Sequence, residues 1–376
     1  MKIRDIEVIE LRYPGWTGDT FDGSYDNCVV LVHTDEGVTG IAEVDSVPSV
    51  IRAVVEARRS HSHAWGLKET LIGQDPLRVS ELWDRMYDLT SYYGRRGVVI
   101  HAISALDIAL WDIRGKVEGK SVGELIGPRQ RDRLLAYGTV YPLGETPDEV
   151  RFNIDRGLKR GLKAIKIVAD PHWRHDLKKT ELLIRTARAH VGPDIKLMCD
   201  AATAWTEAEQ GLPIVPIFRD NGFLWLEAPL PIDDLAGHAR FAGQGVPIGG
   251  GDLGLTTHYE YETAFDVGKI DIAQPDVTMS GGLTELLRIA ASAKARGKRV
   301  VTHGYKSNIT IAANLAFLSR HWADEPCEYS TSESPLRWEL TNERFDIGPD
   351  GRIPVPTAPG LGVSLNPKTI EKYRVG

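Results

Sequence analysis

Short apolar runs recur along most of this chain, each ending in a polar or aromatic residue and giving way to a helical pattern. They end at Tyr137, Lys166, Asp200, Glu227, Asp252, Asp276, His303 and Glu328, at intervals of 24 to 34 residues. That interval is the length of one β-strand plus a crossover helix. Eight such units close naturally into a ring, so the spacing predicts an α/β protein built on a (β/α) barrel. The first third reads differently. Residues 1–13 alternate like a strand, and Cys28–His33 and Val38–Val44 form a hairpin about Thr34-Asp35-Glu36-Gly37. Helical patterns follow near 50–60, 76–90 and 97–118. The last is the strongest, with Ala102, Ala105, Leu106, Ala109, Leu110 and Ile113 at helical spacing. These features predict an α+β capping domain over residues 1–125, a barrel over 126–335 and a proline-rich tail over 336–376 that returns to the cap. Pro14–Asn27, rich in glycine and aromatics, reads as a flap.

Composition narrows the function classes. The 376 residues are 42% hydrophobic and 26% charged, a globular mix, and carry a net charge of −7. No basic surplus invites a nucleic acid. No apolar run approaches the roughly 18 residues of a membrane span, and the N-terminus lacks the pattern of a secretory signal. Cys28, Cys199 and Cys327 are an odd number, far apart and in no metal-binding spacing. A reducing cytoplasm is the expected setting.

The strand ends carry the chemistry, because in a barrel of this kind they surround the active site. Asp200, Glu227 and Asp252 end successive strands. Three carboxylates brought together repel one another unless a hard cation lies between them, and Mg2+, with its oxygen ligands and open positions, is the natural candidate. Asp276 and His303 end the next two strands, a pairing that can fix the imidazole tautomer and make it a base. Lys166 ends an earlier strand on the inward face and reads as an ion-pair partner of the carboxylates. A rival signal is Gly249-Gly250-Gly251-Asp252-Leu253-Gly254, which satisfies G-x-G-x-x-G, with Asp271 downstream. A dinucleotide fingerprint belongs at the first βαβ turn of an open sheet, and this one lies deep in a repeating series. His61-Ser62-His63 and His172-Trp173-Arg174-His175 read as loop histidines; the second stretch follows the Lys166 strand and so lies on the active-site side. Arg95 and Arg96, beside Tyr92 and Tyr93, are candidates to clamp an anion from the cap.

Taken together, Ala102–Gly119, Gly161–Val168, Cys199–Trp205, Trp225–Leu230, Gly249–Leu253, Gln274–Gly282, Val301–Gly304 and Cys327–Tyr329 resemble the enolase superfamily. The likeness is to its mandelate racemase branch and extends over essentially the whole chain. The resemblance implies Mg2+-dependent removal of the proton α to a carboxylate. It assigns Asp200, Glu227 and Asp252 as metal ligands, although the third is more often Glu in this branch. It assigns Asp276 and His303 as the catalytic dyad, and Glu328 as the acid that hydrogen-bonds the substrate carboxylate opposite the metal. Lys166 matches the first lysine of a Lys-x-Lys pattern and joins the catalytic candidates, with the family role of binding the carboxylate. Val168 stands where the second lysine, the opposite-face base, is usual, and a reoriented Lys166 is the candidate to replace it. One remaining base favours dehydration of a sugar acid to a 2-keto-3-deoxy acid. The alternatives are a cycloisomerase of a lactone or anhydro sugar acid, or a racemase or epimerase of an α-hydroxy acid. The partners implied are a small carboxylate substrate and further copies of the chain in a homo-oligomer, with neither nucleic acid nor membrane. Trp16 and Tyr25 in the flap, Tyr137 on the first barrel strand and His172 are the candidate substrate contacts.

Overall fold

The computed structural model describes residues 1–17, 22–169, 171–252 and 254–375; the side chains of Pro171 and His172 also lie outside what it describes. The cap is an antiparallel sheet of β1 (Ile3–Arg12), β2 (Asp26–Thr34) and β3 (Thr39–Val44), in that order. Its alternating apolar positions, such as Val8 opposite Val30 and Val30 opposite Ala42, bury one face. The helix Val98–Glu118 packs on that face and is buried almost all round, because its far side lies against the barrel. There Ser104 Oγ accepts from Gly281 N (2.8 Å), and Trp111 Nε1 donates to Thr284 Oγ1 (2.9 Å).

The barrel strands are β4 (Arg133–Val140), β5 (Ala164–Val168), β6 (Lys196–Asp200), β7 (Phe223–Glu227), β8 (Ile248–Gly250), β9 (Ile272–Ala273), β10 (Arg299–Val300) and β11 (Cys327–Glu328). All pair in parallel, in the order β11-β4-β5-β6-β7-β8-β9-β10. Among the described residues no backbone ladder joins β10 to β11. Side chains cross that seam instead: Arg299 meets Glu325 through two bonds of 2.8 and 2.7 Å, and Gly304 N–H donates to Glu328 Oε2 (3.1 Å).

Strand periodicity builds the barrel interior in layers. Tyr137, Ala164, Met198, Trp225 and Val301, with Leu135 and Ile272, form a separate buried cluster that plugs the barrel. Lys166, Asp200, Glu227 and His303 each lie two residues beyond a member of that cluster, on the same face and one layer higher. The tail reaches both domains. A strand β12 (Arg352–Pro354) pairs antiparallel with β4, and Val375 N–H donates to Glu10 O (2.9 Å) on β1. No helix among the described residues is long and apolar enough to cross a membrane.

Candidate active site

At the C-terminal end of the barrel, Asp200, Glu227 and Asp252 converge with ligand-capable oxygens all within 4.8 Å of one another, and all three residues are buried. Lys166 reaches across from β5: Nζ donates to Glu227 Oε1 (2.7 Å) and lies 3.2 Å from Glu328 Oε1 and 3.8 Å from Asp200 Oδ2. The second oxygen of Glu227 accepts from Trp225 Nε1 (3.0 Å) and Gln274 Nε2 (2.5 Å). Gln274 reaches it only because Gly249 has no side chain; a Cβ there would stand 1.9 Å from Gln274 Oε1. The glycine run thus serves the carboxylate cluster. Asp271, the acid of the dinucleotide reading, pairs with Lys298 (3.1 Å).

The residues present suit a hard dication. Five carboxylates, counting Asp276 and Glu328, face two cationic groups, Lys166 and His303. Burial, followed by repulsion from Glu227, pushes Asp200 up to about 8 and Asp252 up to about 6. Asp252 Oδ1 is buried without a hydrogen-bond partner among the described residues. A buried carboxylate oxygen without a partner, in a cluster with a surplus of negative charge, fits a hard dication. No other group of three metal-ligating side chains occurs among the described residues, and none of the described histidines of the two histidine-rich stretches contributes to this one.

The dyad stands beside this cluster. Asp276 and His303 form a parallel bridge just beyond β9 and β10, which sets His303 Nδ1 2.7 Å from Asp276 Oδ2. With Nδ1–H donated to the carboxylate, Nε2 is the nitrogen left for substrate. His303 is 16% exposed, towards the cavity, and Nε2 lies 3.9 Å from Glu328 Oε2. Burial works against an imidazolium here, but Glu328 and Asp276 outweigh it and push His303 up to about 10. For Glu328 burial likewise opposes the charge, while Lys166 and His303 hold its carboxyl below the ordinary range. Thr139 Oγ1 donates to its Oε1 at 2.6 Å.

A cavity of about 920 Å3 opens over these groups. Of the candidate substrate contacts, Tyr25 lies on its wall, in the short turn Gly23–Tyr25 of the cap. Trp16 does not; Arg12 covers its ring at 4.5 Å. Tyr137 belongs to the plug below, edge-on to Trp225 at 5.7 Å, and the β4 residues at cavity level are Thr139, two positions on, and Val140. His172 is among the side chains not described, and Trp173 is buried against Phe218. Arg96 ties the cap to Glu260 of the barrel (2.9 Å) rather than facing the cavity. Val168 is buried, 1% exposed, beside Asp200 in register.

Thr139, Gln274, Thr278, Tyr305 and Thr331 were missed from sequence. Gln274 and Thr278 flank Asp276 at two-residue spacing, a signal that could have marked them.

Residues 149–369 match the family described as "Enolase C-terminal domain-like", and residues 20–127 match "Mandelate racemase / muconate lactonizing enzyme, N-terminal domain". The chain belongs to the enolase superfamily. Within it, this enolase-superfamily member is 32% identical over 361 residues to D-galactarolactone cycloisomerase of Agrobacterium fabrum, covering 92% of this chain and 91% of that one. It is 31% identical over 315 residues to arabinonate dehydratase of Saccharolobus solfataricus, covering 82% and 81%. The structure of 3,6-anhydro-D-galactonate cycloisomerase from Zobellia galactanivorans superposes with a TM-score of 0.88 over 100% of both chains, at 27% identity.

Proposed function

We propose that this protein is a Mg2+-dependent dehydratase that converts a sugar acid, an aldonate or aldarate, into a 2-keto-3-deoxy acid. The observation that carries the reading is a single base on a single face. The His303–Asp276 pair faces the cavity, Val168 fills the usual position of an opposite-face base, and Lys166 is engaged with Glu227 and Glu328. A cation held by Asp200, Glu227 and Asp252 supplies Lewis-acid stabilisation of the charge that develops on the substrate carboxylate.

The chain's own groups do the rest. Lys166 draws the carboxylate into the cluster by charge-assisted hydrogen bonding. Glu328 faces the same end of the cavity, and to hydrogen-bond the substrate carboxylate it must take up a proton there against the pull of Lys166 and His303. His303 Nε2 accepts the α-proton in its neutral form, which a dication on the neighbouring carboxylates favours over the imidazolium. Asp276 keeps the ring in place and stabilises the imidazolium that results. That imidazolium then gives its proton to the departing β-hydroxyl on the same face. Water leaves, and the enol left behind tautomerises to the 2-keto-3-deoxy acid.

The second reading, a cycloisomerase that expels a ring oxygen from the β-carbon, shares the first half of this sequence. The similarity to two cycloisomerases favours it. A racemase needs a second base, and Val168 cannot supply one. The three unpaired, buried cysteines fit a reducing cytoplasm. The working form we infer is a homo-oligomer that takes small carboxylates.

Proton NMR in D2O with Mg2+, against aldonates, aldarates and their lactone or anhydro forms, tests the reading. Loss of a substrate's α- and β-signals with growth of a 2-keto-3-deoxy product is expected. His303→Asn should slow that turnover about a thousandfold while Mg2+ still binds. Unchanged turnover in the variant would remove His303 from the mechanism, and an epimer labelled at the α-carbon would replace the dehydratase with a two-base enzyme.

A further inference from the structure

We propose that Tyr305 is a specificity-determining residue that accepts a hydrogen bond from a hydroxyl of the substrate, so that the site selects polyhydroxylated acids over plain 2-hydroxy acids. The inference rests on the function proposed above and names how that site reads its substrate.

The argument is one of proton direction. Tyr305 and Thr331 both line the cavity, and their hydroxyl oxygens are 3.2 Å apart, a contact in which either could donate. Thr331 has one hydroxyl proton, and it is committed to the carbonyl of Thr139 at 3.1 Å. Thr331 Oγ1 therefore accepts, and Tyr305 donates. The phenol spends its proton inside the wall and presents oxygen lone pairs to the cavity, with no other hydrogen-bond partner among the described residues. A carboxylate or carbonyl cannot satisfy such a group; a hydroxyl, which donates, can. Burial pushes the phenol up to about 12, so it stays neutral, and a charge does not take the place of this directional contact.

The placement is rigid, which selectivity requires. Tyr305 lies two residues beyond His303. Its carbonyl accepts from Ser24 Oγ of the cap at 2.7 Å. The next residue, Lys306, is buried and donates to Gly23 O (2.5 Å) and Asp26 O (2.9 Å), and pairs with Asp45 (3.1 Å). The loop carrying the phenol is thus clamped between both domains. Tyr305 lines the same cavity as His303 and Glu328.

The test compares D-gluconate, D-galactonate and D-mannonate with 2-hydroxyhexanoate, which has the same carbon count and no distal hydroxyl. Binding to the Mg2+-loaded protein is measured by calorimetry in the His303→Asn background, which does not turn the acids over, with Tyr305 present and with Tyr305→Phe, which keeps the ring. With Tyr305 present the best hexonate is expected to bind about tenfold or more tighter than 2-hydroxyhexanoate, and Tyr305→Phe to lose most of that gap while binding 2-hydroxyhexanoate as before. A gap that persists without the phenol hydroxyl, a gap absent with it, or equal weakening of both ligands overturns the proposal. Deuterium exchange at the α-carbon, followed with the same acids and the His303-containing enzyme, keeps the two readings apart. A Tyr305-dependent gap without exchange with any acid sinks the proton-abstraction reading and leaves Tyr305 standing; exchange with an unchanged gap does the reverse.

Discussion

Thr278 holds the carboxylate that in turn holds the proposed base, His303. Its backbone N–H and its hydroxyl both donate to Asp276 Oδ1, each at 2.6 Å, which leaves Oδ2 for His303. The hydroxyl oxygen in turn accepts from Asp45 N–H of the cap at 3.1 Å. Thr278→Val keeps the shape and removes one of the two bonds, so Asp276 gains freedom to rotate away from the imidazole. We expect kcat to fall about tenfold with KM nearly unchanged, and Thr278→Ser to restore most of it. Steady-state kinetics on the best substrate decides, and an equal loss in the serine variant would point to packing instead. Such residues were hard to see in the sequence because a threonine near an aspartate is common in any turn. Asp200, Glu227, Asp252 and His303 were legible for the opposite reason: charged groups at matching strand ends have few structural excuses.

Among the elements, the helix Asn308–Leu318 depends on a side chain from the other domain. Glu43, on β3 and fully buried, accepts at Oε1 from the N–H and hydroxyl of Ser307 (3.0 and 2.9 Å) and of Thr310 (2.9 and 2.7 Å). Its Oε2 accepts from Asn27 at 2.7 Å. A carboxylate at a helix N-terminus also meets the positive end of the helix dipole. Glu43→Gln puts an NH2 where an acceptor is needed and should cost about 2 kcal/mol in chemical denaturation. A loss below about 0.5 kcal/mol would show that the helix holds this end without the cap. Strand existence and order were readable at this scale, but strand reach was not. β4 runs to Val140, so Thr139 rather than Tyr137 stands at cavity level. The side-chain period of two gives the face of a residue without its height along the barrel. Pairing of β12 with β4 was likewise invisible, since three residues carry no pattern of their own.

At the scale of the whole molecule, the cap and barrel meet around the helix Val98–Glu118, and Asp107 lies at the centre of that contact. Its Oδ2 accepts from Thr284 N–H (2.9 Å), and its Oδ1 is buried with no hydrogen-bond partner among the described residues. Gly282, at φ 74°, makes room: a Cβ there would come within 2.5 Å of the carboxylate. Burial pushes Asp107 up to about 7, against 3.8 for an ordinary Asp. The folded protein therefore holds a proton that the unfolded chain has released between about pH 4 and 7. This group's contribution is greatest below that window and is lost as pH rises through it, at no more than about 1.4 kcal/mol per unit. Thermal melts of Asp107→Asn should show a smaller decline from pH 5 to pH 8 than the wild type; parallel declines would mean that Asp107 is ionised in the fold. Barrel, cap and carboxylate cluster were readable along the chain, because period, strand-end position and charge are local properties that survive in one dimension. Which hydroxyl lines the cavity, which carboxylate oxygens pair and which cap residue holds a barrel helix emerged only on folding. Those depend on residues as far apart as Glu43 and Thr310 lying within hydrogen-bond distance, and no local pattern encodes such a distance.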